Sequence, residues 1–246
     1  MSGIVGRVTP TVVLLHGFAG TRRGWDLLAP GRGAERYRPL ALDLRGHGAA
    51  RDARPVTFAA CAADVLAAAP ARFVLCGYSM GGRIALHVAL AAPERVERLV
   101  LVATTAGIDD DRVRAARREA DEALAAFAER STIEAFADRW LAQPLFAGDP
   151  PAARAFARRD LLRNDPRALA DVLRGVGTGA MTPLWDRLGA LRMPATVLAG
   201  ARDAKFVALG ERLAAALPAA ALEVVPGAGH GLPREAPAAV ATALAG

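Results

Sequence analysis

The chain has 246 residues, of which 53% are apolar, with two cysteines and a formal net charge of +6. That length suits one α/β domain carrying an insertion, and the composition excludes a disordered, collagenous or disulfide-framework protein. No apolar run approaches the roughly 20 residues needed to span a bilayer, and no export signal is visible, so the cytoplasm is the expected location.

Short apolar runs alternate with helical patterns, which predicts a mostly parallel sheet with helices on both faces. Strands are expected at Thr11 to Leu15, Pro39 to Asp43 and Arg72 to Gly77, the last preceded by a helix from Phe58 to Ala69. A helix after Ser79, stopped by Pro93, leads to a strand from Val96 to Ala103. From Gly107 the pattern changes to four helical segments without a strand. Asp109-Asp-Asp111 places acids at the positive end of the first, and Ser131-Thr-Ile-Glu134 reads as a capping box for the second. Asp149-Pro150 and Asp165-Pro166 read as cap-plus-proline starts of the last two. Alternation resumes with a strand at Ala195 to Gly200, a helix from Phe206 to Leu217 and a strand at Ala221 to Val225. The expected organisation is a core over 1–108, a helical lid over 109–180 and the rest of the core over 181–246.

The positive charge does not indicate nucleic acid. The segment from Asp109 to Arg174 holds 12 arginines against 13 acids, and elsewhere the excess is scattered, with no single-sign stripe and few aromatics. A small acidic molecule is the expected partner. Of the 31 basic residues all but Lys205 are arginine, which singles that lysine out.

Gly77-Tyr-Ser-Met-Gly81 matches G-x-S-x-G directly after a strand and before a helix, the context that lets a strained turn present a serine. Asp203 lies just past the strand Ala195 to Gly200, and His230 follows the last strand in a glycine loop. The order serine, acid, histidine, each at a strand end, predicts a triad of Ser79, Asp203 and His230 on an α/β-hydrolase fold. The backbone N–H groups of Phe18, in the turn after the first strand, and of Met80 are the expected oxyanion donors. His16, His47 and His87 read as packing residues, and nothing suggests a zinc site.

Finer motifs narrow the reading. Leu15-His-Gly-Phe18, Gly77-Tyr-Ser-Met-Gly-Gly-Arg83, Phe136-Ala-Asp-Arg-Trp140 with Gln143-Pro144 and Phe146, Arg202-Asp-Ala-Lys-Phe206 and Ala228-Gly-His230 run over most of the chain. In this set the chain resembles the 2-succinyl-6-hydroxy-2,4-cyclohexadiene-1-carboxylate synthases of menaquinone biosynthesis. The resemblance implies a lyase, without cofactor, that eliminates pyruvate from 2-succinyl-5-enolpyruvyl-6-hydroxy-3-cyclohexene-1-carboxylate. Ser79 with His230 would then act as a base and form no acyl-enzyme. It further implies that Tyr78, Arg83, Arg117, Trp140, Arg163 and Lys205 bind the substrate. Arg117 has separate support, because Val113, Arg117, Ala120, Leu124 and Phe127 share one helical face. Arg114 and Arg118 are expected to be solvated. The chain departs from its relatives after His230, where Gly-Leu-Pro-Arg-Glu235 lacks a second histidine, and after Asp43, where the loop lacks a hydroxyl residue. The competing readings are a carboxylester or C–C bond hydrolase with an acyl-serine, and a non-catalytic ligand-binding protein of the same fold.

Overall fold

A computed structural model describes residues 9–28 and 36–246; residues 1–8 and 29–35 of the expected first core segment lie outside the described residues. Six parallel strands form one sheet: β1 (Thr11–Leu15), β2 (Arg38–Leu42), β3 (Phe73–Tyr78), β4 (Val96–Val102), β5 (Ala195–Gly200) and β6 (Ala220–Val225). Their order is β2-β1-β3-β4-β5-β6. Alternate residues of each strand enter different cores, as a period of two requires. Val13, Leu15, Leu75, Leu99 and Val197 pack with α1 (Phe58–Ala68), α2 (Met80–Ala91) and α7 (Ala204–Ala216). Val12, Leu14, Val74, Val100 and Leu198 pack with the turn of helix Arg22–Leu28 and with α8 (Leu232–Glu235) and α9 (Pro237–Ala245). Burial on both faces is why these strands read as continuous apolar runs. The alanine-rich α9 has no counterpart among the sequence-based expectations.

The strand order reverses between β1 and β3. In open α/β sheets that switch point leaves a crevice at the carboxyl ends of the strands, and the turns after Leu15 and Tyr78 both open there. Between β4 and β5, which are neighbours in the sheet, the chain runs through α3 (Asp111–Glu129), α4 (Ile133–Leu141), α5 (Pro151–Leu161) and α6 (Pro166–Val176). These helices share a third core of Ala125, Ala128, Phe136, Leu161, Leu169 and Leu173, which also takes in Ala19 from the turn after β1.

Several local expectations need correction. Thr132, not Ser131, caps α4 by accepting the Ala135 N–H, while the Ser131 hydroxyl donates back to Phe127 O at the end of α3. Helix α5 begins at Pro151, one residue late, and Asp149 does not cap it; Pro150 precedes another proline, which disfavours helical geometry there. Asp165 does cap α6, accepting the Ala168 N–H at 2.9 Å. The buried face of α3 is rotated from the one expected: Val113 is 56% exposed, whereas Asp121, Ala125 and Ala128 face inward. Small residues form that stripe because α3 lies close against α6 and against Gly179, whose added Cβ would stand 2.4 Å from Arg118 N. Arg114 and Arg118 are not merely solvated, since they donate to the carbonyls of Ile108 and Gly179.

Among the described residues no helix is long and apolar enough to cross a membrane. Phe136 is fully buried in the third core. Phe136→Ala is expected to lower stability by about 3–5 kcal/mol, read as a shift in the urea midpoint; a loss below about 1 kcal/mol would mean that the intervening helices collapse around the missing ring.

Candidate active site

Ser79 lies between β3 and α2, as the residue that caps α2, with φ 51° and ψ −109°, a conformation that residues with a Cβ rarely adopt. Neighbours fix it there. Its N–H donates to Val102 O at 2.8 Å, and its carbonyl accepts from the Gly82 and Arg83 N–H groups and from the Thr104 hydroxyl, the last at 2.7 Å. The turn also needs two close approaches that exclude side chains. A Cβ on Gly81 would lie 2.1 Å from Leu15 O, and one on Gly77 would lie 2.3 Å from Gly81 O.

His230 Nε2 is 3.2 Å from Ser79 Oγ, and His230 Nδ1 is 2.9 Å from Asp203 Oδ2. With Nδ1–H donating to the carboxylate, Nε2 presents a lone pair to the serine hydroxyl. Burial lowers the His230 pKa, opposed by Asp203, so the imidazole is neutral and able to take a proton at neutral pH. Asp203 is oriented in turn by the Phe206 N–H, as N-cap of α7. The histidine loop is held by Glu235, whose carboxylate accepts the N–H groups of Gly229 and Gly231 on either side of His230.

Phe18 and Met80 both line the cavity into which Ser79 opens. Met80 is the first residue of α2, so its N–H has no intrahelical acceptor. The Phe18 peptide plane is fixed through the carbonyl it shares, that of Gly17, which accepts from His16 Nδ1 at 2.8 Å and from the Gly20 N–H at 3.1 Å. His16 Nε2 accepts the Leu44 N–H, and His47 bridges the Ala19 N–H to Arg45 O. Both rings are neutral. Burial brings the His16 pKa down to about 4 and holds that of His47 well below its usual value. His87 stacks on Phe58 and bonds Arg83 O, away from the triad.

The cavity measures about 360 Å³. Tyr78, Arg83, Arg117, Trp140 and Lys205 line it. Arg163 does not; its side chain is 57% exposed and its nearest acid is Asp160 at 3.9 Å. Arg83 is 7% exposed and donates to Val176 O at 2.6 Å, with no carboxylate at ion-pair distance among the described residues. Burial, then the charge of Arg117, pull its pKa down to about 9. Arg117 is half-buried and spends its Nε on Asp121, at 2.7 Å. Trp140 meets Phe18 edge-on at 4.8 Å, and Lys205 sits at the exposed rim, its ammonium 5.8 Å from the Phe206 ring.

Sequence reasoning missed Arg234. It lines the cavity, donates to Asp149 Oδ2 at 2.7 Å and to the Tyr78 hydroxyl at 3.3 Å, and lies over the Phe146 ring. Its pair with Asp149 is nearly buried, at 11% and 2% exposure, and ties the histidine loop to the segment before α5. The missing second histidine after His230 marks the place but gives no hint of the ion pair.

Set beside known proteins, the sequence matches the alpha/beta hydrolase family over residues 12–243. It is 34% identical to a Klebsiella pneumoniae protein named 2-succinyl-6-hydroxy-2,4-cyclohexadiene-1-carboxylate synthase, over 96% of this chain and 92% of that one. A Salmonella newport protein of the same name is also 34% identical, over 96% and 93%. Among solved structures, MenH from S. aureus superposes with a TM-score of 0.87 at 28% identity, over 98% of this chain and 93% of that one. The enol-lactonase from Burkholderia xenovorans LB400 gives 0.80 at 25% identity, over 98% and 92%.

The buried histidines make folding acid-sensitive. Between pH 6.5 and 4 the unfolded chain protonates His16 and the folded one does not, so this stability is present above the unfolded pKa and lost as pH falls. The loss from His16 is expected to be about 3 kcal/mol, at about 1.4 kcal/mol per pKa unit. Urea midpoints at pH 7.5 and pH 4.5 measure it, and equal midpoints would show that His16 protonates freely in the fold.

Proposed function

Since the chain belongs to the alpha/beta hydrolase family and, within it, to the 2-succinyl-6-hydroxy-2,4-cyclohexadiene-1-carboxylate synthases, we propose that Ser79, His230 and Asp203 carry out the pyruvate elimination that yields that diene in menaquinone biosynthesis. The enzyme is a carbon–oxygen lyase on a hydrolase scaffold. The substrate carries three carboxylates, on the ring, the succinyl chain and the enolpyruvyl ether. Its acidic ring C–H lies next to the succinyl carbonyl.

His230 Nε2 takes the Ser79 proton, and the serine oxygen removes the ring proton. The Phe18 and Met80 N–H groups stabilise the charge that develops on the succinyl carbonyl oxygen; a well-aligned donor of this kind is worth about 3–4 kcal/mol. The dienolate collapses, its double bonds shift, and the C–O bond to enolpyruvate breaks. Enolpyruvate leaves as its enolate and takes up the proton held by the His230 imidazolium to become pyruvate, which returns Ser79 and His230 to their starting states. Asp203 holds the imidazole in the required tautomer and stabilises the imidazolium.

Arg83 carries the substrate assignment. A buried guanidinium beside the nucleophile, with a peptide carbonyl and the Phe58 ring as partners but no carboxylate at ion-pair distance, favours an anion in the cavity. Arg117 adds charge on the same side, and Lys205 adds it at the rim. The Tyr78 hydroxyl accepts from Arg234, which leaves its own proton to donate into the cavity. Trp140 supplies an apolar wall, and we read α3 to α6 as a lid over the ring. Arg163 is left as a surface residue. With a small polyanion as partner, nucleic acid has no role. Two buried free thiols suit a reducing cytoplasm.

Pyruvate release from the enolpyruvyl-ether substrate tests the reading. Ser79→Ala is expected to cut kcat by roughly a thousandfold or more; wild-type protein that releases no pyruvate yet hydrolyses a small activated ester would replace elimination with acyl transfer. Arg83→Met is expected to raise KM by roughly ten- to a hundredfold, from the loss of a charged hydrogen bond, with a smaller change in kcat. The acid limb of the kcat/KM profile is expected below pH 6.5, because burial disfavours protonated His230; a limb above 6.5 would contradict the neutral base.

A further inference from the structure

The turn that carries the Phe18 N–H is braced from outside the sheet. Ala19 sits at φ 61°, a left-handed conformation, and is held there on both sides of its backbone. Its N–H donates to His47 Nε2 at 3.2 Å, and its carbonyl accepts from Asn164 Nδ2 at 3.0 Å. Two residues on, Thr21 gives its N–H to Asp160 Oδ2 at 2.8 Å and its hydroxyl to Asp160 Oδ1. Asn164 also reaches the turn after β2, where its Oδ1 accepts the Gly48 N–H at 2.9 Å. Asp160 and Asn164 are only 5% and 7% exposed. They lie in the last turn of α5 and just beyond it, on the helices between β4 and β5, and the proton-transfer chain uses neither.

We propose that Asp160 and Asn164 are positioning residues of the oxyanion site, acting through Ala19 and Thr21 to keep the Phe18 N–H aimed at the Ser79 side of the cavity. An oxyanion donor works only if its peptide plane is set before charge develops. His16 and Gly20 fix the Gly17 end of that plane, and the helices fix Ala19 and Thr21 on its other side. The end of α5 therefore completes the reaction centre as well as roofing it. Asp160 lines the cavity, where both its oxygens accept from Thr21 and the Arg163 guanidinium, 3.9 Å away, offsets part of its charge.

This rests on the serine–histidine–aspartate and oxyanion reading above, and not on which anion is the substrate. The test therefore uses a small alkylboronic acid. The Ser79 Oγ–B bond forms, the hydroxyl proton passes to His230, and one oxygen of the tetrahedral boronate occupies the oxyanion site. Boronate Kd is measured by titration for the wild type, Asp160→Asn, Asn164→Ala and Asp171→Ala, with thermal midpoints alongside. Asp171 lies on α6 in an exposed pair with Arg54 and serves as the control. Asp160→Asn and Asn164→Ala are expected to weaken boronate at least tenfold while still folded at the assay temperature, with Asp171→Ala within twofold of wild type. Affinities within twofold of wild type in the first two overturn the proposal, whatever happens to the thermal midpoint. If Asp160→Asn does not fold, Thr21→Val removes the hydroxyl end of the same hydrogen bond and is held to the same threshold. Wild-type protein that binds no boronate would overturn the oxyanion reading itself, whereas boronate binding without pyruvate release would overturn only the choice of substrate.

Discussion

The strained backbone at Ser79 is the constraint on which the rest of the site depends. A residue with a Cβ at φ 51° returns to ordinary geometry unless its surroundings forbid it. Here they do, through the end of β4, which holds both the Ser79 N–H and its carbonyl, and through the carbonyl end of β1, which presses on Gly81. The turn exists because three neighbouring strands end at the same level. The same alignment brings the turns after β1 and β3 together at the switch point of the sheet, and Asp203, beyond β5, reaches them through His230.

A second constraint is the management of buried charge. Helices α3 to α6 bring carboxylates into the interior, and each is matched by a group distant in sequence. Asp121 receives Arg117 and the Gly179 N–H, Asp149 receives Arg234, and Asp160 receives Thr21. Breaking such a pair is costly because it leaves one charge buried alone, so these contacts specify how the helices dock. Arg83 departs from that pattern. Its partners are a peptide carbonyl and the Phe58 ring, 5.7 Å from the guanidinium carbon, and it lies beside the Arg117–Asp121 pair without a carboxylate of its own.

The histidines divide by the same physics. His16 and His47 are buried as neutral hydrogen-bond bridges and hold the turn after β1. His230 is equally buried but faces a carboxylate on one nitrogen and a hydroxyl on the other. Burial of all three favours the uncharged ring, and the partners separate them: backbone groups for His16 and His47, a carboxylate and a hydroxyl for His230.

Legible along the chain are the six strands, the elbow around Ser79 and the order of serine, acid and histidine. Those features are local: the central strands, buried on both faces, must be largely apolar, and a strand-to-helix turn needs glycines at fixed offsets. Tertiary contacts settle the places where long-range partners compete with local rules. Asp149 looks like a helix cap until Arg234 claims it, Ser131 like a capping box until α3 needs its hydroxyl, and the inward face of α3 follows its alanines because its neighbours lie too close for larger side chains. Arg163 reads as a substrate ligand by the family resemblance alone, yet its side chain is largely exposed to solvent. Asp160 and Asn164 carry no motif at all. Their partners are more than a hundred residues away, and such hydrogen bonds leave no periodicity in a sequence; they exist only once the helices between β4 and β5 have docked over the turn after β1.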